Sequence, residues 1–438
     1  MVQVLLVLVA LFIGSGLLIA GSGLFTTLLA VRMGIENIPE LQVGIVLACF
    51  SVGFILGTQI CHWFVDRVGH IRAFAALAAL ASCTALMHPV LIAPVAWGIL
   101  RVLTGFCTAA LYTIAESWIN AKVPNEIRGR VLSVYMVTSF LALSSGQLML
   151  NLSEPGSFIL FSVVAMLFSF SLVPIALTRM EAPIPDPGER LGIFALMRIS
   201  PLGVALCFSA GAINAAFFNL GPLFAQKSGF DTGQVSTFMA IAIFAGLLVQ
   251  WPVGWLSDRF DRRKVVLWVL AGAAIASLLM VIMGDLKFSM LLILVAVYGG
   301  MAFTLYGQGL THANDYAETT QLVSVSAGLL FAYGVGAVVG PVAASAFMGM
   351  AGPFGLFIFT GGVTTGLAVF VVFRMTRREP LPAEDQTPFS AMPATTPAIA
   401  ELDPRSEPET EQPEAEVIEP DVLDWGRIQA SRLPWSVR

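Results

Sequence analysis

Two charged stretches interrupt an otherwise apolar chain, and they read His62–Arg72 (HWFVDRVGHIR) and Gly254–Lys264 (GWLSDRFDRRK). Each stretch carries an aspartate followed directly by an arginine, with further basic residues close behind, in a gap between two hydrophobic runs. Asp66 and Asp258 lie 192 positions apart. The repeated unit predicts that the chain consists of two equivalent halves.

The composition predicts an integral membrane protein. The 438 residues are 57% hydrophobic and only 12% charged, with a mean hydropathy of +0.83, whereas a soluble domain carries about a quarter charged residues. Many apolar blocks reach the roughly 20 residues that cross a bilayer, and no alternating pattern of a barrel is present, so we expect helices. We predict twelve spans, at 4–30, 41–65, 71–91, 94–119, 130–152, 157–178, 201–226, 232–256, 265–283, 288–312, 321–349 and 354–374.

The basic residues of the loops predict the orientation in the membrane. If the spans alternate, three basic residues, Arg32, Lys227 and Lys287, fall on one side. Those on the other side are Arg67, Arg72, Lys122, Arg128, Arg130, Arg179, Arg190, Arg198, Arg259, Arg262, Arg263, Lys264, Arg374, Arg377 and Arg378. Because basic loops stay in the cytoplasm, both termini are predicted to be cytoplasmic.

Other repeated features support two halves joined by a loop. Gln42-Val43 recurs as Gln234-Val235 at the same offset, and Tyr112 recurs as Tyr306 at an offset of 194. We therefore predict an N-terminal six-helix bundle at 1–178, an inter-bundle loop at 179–200 and a C-terminal six-helix bundle at 201–378. Parallel repeats with a substrate site between them are a transporter architecture.

The residues from 379 to 438 have a different composition. They are rich in proline and carry thirteen acidic against four basic residues. Such a segment does not bury enough apolar surface to order itself, so we predict a disordered cytoplasmic tail without packed contacts, dispensable for transport. Without the tail's charge of −9, the net charge of −5 becomes +4, which suits an anionic inner leaflet.

At this point the motifs carry a family resemblance. DRVGHIR and DRFDRRK resemble the signature loop of the major facilitator superfamily, written G-x-x-x-D-R-x-G-R-R/K, although His62 and Asp261 stand where that pattern has glycine. The segments RVLTGFCTAA and YTIAESWINAKVPNEIRGR resemble helix four of sugar-porter-like members. The resemblance implies a bacterial branch near the drug and sugar porters, twelve helices in two pseudo-symmetric bundles and alternating access.

The charged loops predict a gate at the cytoplasmic side. An aspartate at a helix end can accept hydrogen bonds from a facing helix N-terminus, and an arginine can pair with a carboxylate. Such contacts form and break as two bundles rock, although the same residues could serve only as topology signals. The candidate gate residues are Asp66, Arg67, Arg72, Glu116, Arg128, Asp258, Arg259, Arg262, Arg263, His312 and Asp315.

Polar residues inside the spans are candidates for the substrate pathway. Arg101 lies within helix four and needs an acceptor, either a structural partner or an anionic, zwitterionic or neutral solute. In helix seven the Gly221-Pro222 pair predicts a break in the helix. The candidate pathway residues are Arg101, Tyr112, Asn214, Asn219, Tyr306 and Gln308.

No enzyme motif is present, and without a nucleotide-binding loop we expect secondary, proton-coupled transport of a small organic or drug-like solute. The alternatives are a sensor with the same fold and a lipid or lysolipid flippase. Five scattered cysteines and the absence of clustered histidines predict neither a metal nor a cofactor. We expect a monomer in the bacterial inner membrane, with a small-molecule substrate, protons and lipid as partners and no nucleic acid.

Overall fold

The computed structural model describes residues 2–177, 191–284, 287–318, 321–377, 379, 381, 386–389 and 392–403. Its helices are α1 (Val2–Ile35), α2 (Glu40–Val68), α3 (His70–Met87), α4 (Pro94–Lys122), α5 (Arg128–Leu148), α6 (Ile159–Ala176), α7 (Ile193–Ile199), α8 (Pro201–Lys227), α9 (Thr232–Arg259), α10 (Arg262–Ile282), α11 (Phe288–Ala302), α12 (Leu305–Asn314), α13 (Leu322–Ala351) and α14 (Gly355–Met375). Short 3-10 helices occupy Asn125–Ile127, Met149–Leu152 and Pro397–Leu402.

Twelve of the described segments are long and apolar enough to cross a membrane, which confirms the predicted number of spans. Helices α1 to α6 form the first half, and α8 to α14 form the second. α11 and α12 together make one span, Phe288–Asn314. α7 has only seven residues and lies in the second part of the inter-bundle loop, where Leu196 is buried; residues 178–190 of that loop lie outside the described part.

Two helices depart from the predicted outline. α8 continues through Pro222 to Lys227, so the predicted break is wrong. Pro222 removes a single backbone hydrogen bond about one and a half turns before the helix ends, which the remaining turns tolerate. The tenth span instead bends at Phe303 and Thr304, between α11 and α12. There the Phe303 carbonyl accepts a hydrogen bond from Gln250 Nε2 at 3.2 Å, which satisfies a group released by the bend.

We call the end of the bundle that carries the repeated charged loops the inner end, and the opposite end the outer end. The two loops are built differently. Gly69 has a φ of +85°, a backbone conformation that favours glycine. Asp261, the equivalent residue of the second copy, has a φ of −54° and caps α10, because its Oδ1 accepts from Arg263 N at 3.0 Å. The departure from the family pattern at Asp261 thus replaces a glycine turn with a helix cap.

Part of the tail packs against the inner end. Met392, Thr396 and Ile399 are all buried, at 4%, 0% and 3% exposed. For residues 386–389 and 392–403 the prediction of a tail without packed contacts is therefore wrong. These stretches bind through backbone groups, threonine hydroxyls and isolated apolar residues, which a composition argument does not detect. Residues 404–438 lie outside the described part.

Candidate functional site

A cavity of about 220 Å³ lies between the two halves, bounded by α1, α2, α8 and α13. Its walls come from both repeats, as expected for a site at the interface of parallel repeats. The lining residues are Thr26, Phe50, Ser51, Phe54, Ile55, Thr58, Gln59, Ala215, Phe218, Asn219, Ala327, Leu330, Phe331, Tyr333, Gly334, Ala337, Ala394 and Pro397.

The lining is apolar and aromatic, with a few uncharged polar groups. Hydroxyls and amides come from Thr26, Ser51, Thr58, Gln59, Asn219 and Tyr333. Among the described residues around the cavity, none carries a formal charge. Where the structure describes the chain, no three His, Cys, Asp or Glu side chains are placed to hold a metal ion. A few convergent polar groups in an apolar wall are typical of small-molecule sites.

The two halves contact each other directly at the outer end. Lys227 Nζ donates to Glu40 Oε1 and forms an ion pair that joins α8 to α2. Asn151 Nδ2 donates to Ser236 Oγ at 2.7 Å, and Ser144 Oγ donates to the Ala240 carbonyl at 3.1 Å. These contacts join the halves through α2 with α8 and through α5 and the Met149–Leu152 turn with α9, so the cavity is closed toward the outer end.

Glycine lets the helices approach closely at that closure. A Cβ added to Gly44 of α2 would lie 2.0 Å from Ser345 Oγ and 2.6 Å from the Pro341 carbonyl oxygen of α13. A Cβ added to Gly34 of α1 would lie 1.9 Å from Gln226 Oε1 of α8. The outer closure therefore depends on the absence of a side chain at Gly44, whereas Gly34 makes room for the flexible side chain of Gln226.

Asn219 is the one predicted pathway residue that lines the cavity. Its Nδ2 donates to the Ala215 carbonyl at 2.8 Å, while its Oδ1 is buried without a hydrogen-bond partner in the described structure. Asn214, one turn earlier on α8, interacts with the side chain of Tyr333, which lines the cavity. Two asparagines of α8 thus act on the same side of the site, one directly and one through a tyrosine.

Three other predicted pathway residues lie behind the lining. Tyr306 packs edge to face on Tyr333, with ring centroids 5.2 Å apart. Gln308 Oε1 accepts from Ser257 Oγ at 3.1 Å and ties α12 to α9. Tyr112 points toward α1, where its hydroxyl is 3.5 Å from Ser22 Oγ. These three residues support the walls without reaching the cavity in this conformation.

Arg101 is buried in α4, 1% exposed, and is held between aromatic rings. Its guanidinium carbon lies 4.5 Å from the ring centroid of Phe50 and 5.6 Å from that of Phe25. Arg101 Nε and Nη2 have no hydrogen-bond partner in the described part of the chain. Because Phe50 lines the cavity, Arg101 is separated from the cavity by one aromatic ring.

The charged residues of the second inner loop pair within their own half. Arg262 Nε lies 3.1 Å from Asp315 Oδ2 and Arg262 Nη2 lies 3.8 Å from Asp258 Oδ1. Arg263 Nη2 lies 2.9 Å from Asp261 Oδ2. Burial alone would raise the pKa of Asp261, but the hydrogen bonds and charge of Arg263 outweigh it and leave that pKa below its usual value.

The first inner loop is more exposed. Asp66, Arg67 and Arg72 are all exposed, and the Arg67 guanidinium lies 4.0 Å from the ring centroid of Trp63. In the second copy Arg259 similarly stacks on Trp255 at 4.1 Å. The ion pairs of Arg262 and Arg263 join residues of the second half to each other.

The remaining predicted gate residues lie around the same end. Glu116 is fully buried in α4, and Tyr135 of α5 donates a hydrogen bond of 2.8 Å to its Oε1. His312 lies on Tyr316, with ring centroids 5.2 Å apart. Arg128 begins α5 and is half-buried. Glu116 belongs to the first half and His312 to the second. We call the opening of the cavity toward the inner end, between these halves, the inner mouth.

Sequence reasoning missed most of the cavity lining. Gln59 and Thr58 are polar residues inside the second span, and this polarity was the available signal. Phe50 and Tyr333 carried no such signal, because aromatic residues are common in any span. Which residues face the cavity depends on helix rotation, and rotation is set by packing between helices.

Two pseudo-symmetric six-helix bundles around a central cavity define the class of membrane transport proteins built from parallel repeats. The chain belongs to the Major Facilitator Superfamily, whose family model matches residues 11–327 and 247–435. It is a multi-pass membrane protein of a transporter family and not an enzyme.

Relatives and solved structures agree with this assignment. The chain is 28% identical over 346 residues to the MFS-type transporter YcaD of Salmonella newport, a match that covers 77% of this chain and 88% of that protein. Its fold is similar to a mutant of the nucleoside transporter NupG, with a TM-score of 0.73, 14% identity, and 84% and 99% of the two chains covered. It is also similar to a bacterial homologue of the human lysosomal transporter Spinster in an inward-facing, occupied conformation. That match has a TM-score of 0.66 and 16% identity, and it covers 87% of this chain and 97% of the other.

Proposed function

We propose that the protein is a secondary transporter that moves a small, uncharged organic solute across the bacterial inner membrane by alternating access. The observation that carries the proposal is the lining of the cavity, which combines aromatic rings with hydroxyl and amide groups and has no charged side chain among its described residues. A charged solute would lose its hydration there without gaining an ionic partner. Asn219, with a buried and unpartnered Oδ1, supplies a hydrogen-bond acceptor for the solute.

The driving force we infer is the proton gradient. The sequence has no nucleotide-binding loop, so the energy must come from an ion or solute gradient. Glu116 is a fully buried carboxylate that accepts a hydrogen bond from Tyr135. Ionisable residues buried within spans are costly, and they often take part in proton relays.

The predicted orientation gives the two ends their roles. With the basic inner end in the cytoplasm, the contacts between Glu40 and Lys227 close the site toward the outside. In the opposite state the halves part at the outer end and meet at the inner end. There we propose that Asp66, Arg67 and Arg72 pair with charged groups of the second half.

The test is uptake into proteoliposomes with an imposed pH gradient. A mixture of small uncharged, cationic and anionic solutes is offered, and the accumulated compounds are identified by mass spectrometry. We expect saturable accumulation of an uncharged compound that collapses with a protonophore. Asn219→Leu should raise the KM about tenfold, because it removes a hydrogen bond to the solute in a buried site.

The matched control is Asn37→Gly, in an outer loop where Asn37 has a φ of +54° that glycine also adopts. This control should transport with an unchanged KM. Accumulation of only charged compounds would contradict the uncharged substrate class. Saturable binding of a ligand without any flux would support a sensor in place of a transporter.

A further inference from the structure

The inner mouth of the cavity is occupied by the chain's own C-terminal segment. The first contacts are made by residues 386–389 on the second half. Asp315 Oδ1 accepts from Thr387 N at 3.0 Å and from Thr387 Oγ1 at 2.8 Å, and Asp258 Oδ1 accepts from Phe389 N at 2.7 Å. Arg262 Nη2 donates to the Thr387 carbonyl. Two carboxylates of the second half, Asp258 and Asp315, and Arg262 of its inner loop thus hold a backbone segment.

The ring of Phe389 lies over two glycines of the second half. A Cβ added to Gly254 of α9 would lie 2.4 Å from Phe389 Cδ1. A Cβ added to Gly307 of α12 would lie 3.2 Å from Phe389 Cζ. The surface therefore has a shallow space that an aromatic side chain fills, and any larger residue at Gly254 would displace the ring.

The next contacts are made on the first half. Thr396 Oγ1 donates to Glu116 Oε2, and Asn120 Nδ2 donates to the Ala398 carbonyl. Glu116 forms no ion pair with a basic residue in the part of the chain that the structure describes, and its carboxyl oxygens accept hydrogen bonds from hydroxyl donors, of which Thr396 is one. Ile399 is 3% exposed within the short helix Pro397–Leu402. The segment is anchored to both halves.

Between these anchors the segment closes the cavity. Ala394 and Pro397 form part of the cavity wall, on the side away from the outer closure. The outer end is closed by contacts between the halves, and the segment lies on the route from the cavity to the cytoplasm. Among its residues whose burial the structure describes, the buried ones are uncharged apart from Asp403, which suits an apolar mouth rimmed by carboxylates.

We propose that the inner mouth is a peptide-binding site whose ligand is the chain's own C-terminal segment, bound through residues 386–389 and 392–403, and that the segment must leave before a solute exchanges with the cytoplasm. Bound, the segment inhibits transport; released, it opens the cavity. This inference rests on the proposed function for its effect on flux, but its effect on access to the cavity does not.

The test measures access to a cysteine in the cavity of the full-length protein in lipid nanodiscs. Ser51→Cys places a thiol in the lining, in a parent where Cys49 and Cys83 are replaced by serine; Cys61, Cys107 and Cys207 are buried. Labelling by a water-soluble maleimide should accelerate at least about tenfold when Thr387→Val and Thr396→Val are added, because each removes a hydrogen bond to a carboxylate. Thr376→Val is the matched control, since Thr376 Oγ1 bonds to the Phe373 carbonyl, away from the segment.

A second variant holds the segment in place. Asn120→Cys with Ala398→Cys introduces a pair at an observed contact, and oxidation should link them. Labelling of the Ser51→Cys thiol should then fall below that of the unlinked protein and recover after reduction. Equal labelling rates in the linked, unlinked and double-valine proteins would overturn the proposal.

Flux is measured in parallel on proteins that keep Ser51 and the native cysteines and carry the same substitutions in the segment and at Asn120. If the double-valine protein labels faster and also transports faster, both proposals are supported. If it labels faster and no solute is transported, the peptide site stands and the proposed function fails. If flux is seen but linked and unlinked proteins transport equally, the segment does not inhibit and the proposal of this section fails.

Discussion

The substitution Gly44→Ala tests whether the two halves move apart at the outer end, because it adds a single methyl group at their contact. Gly44 lies on α2 at the outer closure, where an added Cβ would meet Ser345 Oγ at 2.0 Å and the Pro341 carbonyl oxygen at 2.6 Å. The serine hydroxyl can rotate away from its bond to the Val342 carbonyl, but Ser345 Cβ, at 2.5 Å, and the Pro341 carbonyl oxygen cannot. Gly44→Ala therefore forces α2 and α13 apart at the outer end.

The size of the effect follows from the overlap. Ordinary contact begins at 3.4 Å, so the two helices must separate by about 0.9 Å to clear Ser345 Cβ. Overpacking of this kind costs about 1–3 kcal/mol. The cost applies only to the state that is closed at the outer end, so the ratio of outer-open to outer-closed molecules should rise by about 5- to 150-fold.

The assay is a distance measurement between spin labels at the outer ends of α2 and α13. Leu41 and Met350 are exposed, 48% and 76%, and suit labelling through introduced cysteines. We expect wild-type protein to give one short distance and Gly44→Ala to add a longer one. Gly349→Ala on α13 is the control, because an added Cβ there has open space within 4 Å.

A single, unchanged distance in a folded Gly44→Ala protein would refute the reasoning, since it would mean that the closure absorbs the methyl group. Equal changes in Gly44→Ala and Gly349→Ala would also refute it, because the effect would then not come from the contact with Pro341.

Two further predictions concern Arg101 and Asp261. Arg101→Met and Arg101→Lys should raise the KM for the solute to a similar degree, because both lose the planar stacking on Phe50. If the Lys variant keeps solute binding while the Met variant loses it, the charge of Arg101 contacts the solute and this prediction is wrong. Asp261→Ala should lower the Tm by about 2–4 °C at pH 7, as it removes a helix cap and the pair with Arg263. Since the folded pKa of Asp261 lies below its usual value of 3.8, this contribution is present above that pH and is lost as the pH falls further, so the two proteins should converge in acid.

The span count and the two halves were predictable from the sequence because both rest on local signals. Length and apolarity decide whether a segment crosses the membrane, and the repeat of Asp66-Arg67 as Asp258-Arg259 needs only the order of residues. The bend at Phe303 was not predictable in the same way. It depends on Gln250 of another helix, whose Nε2 donates a hydrogen bond to the released Phe303 carbonyl.

The candidate site was predictable only in part, for the same reason. Asn219 was identified because a polar side chain inside a span must face a cavity or another helix. Gln308 satisfies the same rule and faces Ser257 of another helix, a choice that the sequence does not encode locally. The docking of Thr387 and Thr396 depends on carboxylates from two different halves, so no reading of the tail's own composition could find it.

The two anchors of the C-terminal segment also set a limit on motion. Seven residue steps of chain connect Phe389, held by Asp258 of the second half, to Thr396, held by Glu116 of the first half. A fully extended chain of that length spans at most about 25 Å. While both anchors hold, the inner faces of the halves cannot separate beyond this reach. Residues inserted into this connection would increase the largest separation that the two halves can reach at the inner end, and residues removed from it would decrease that separation.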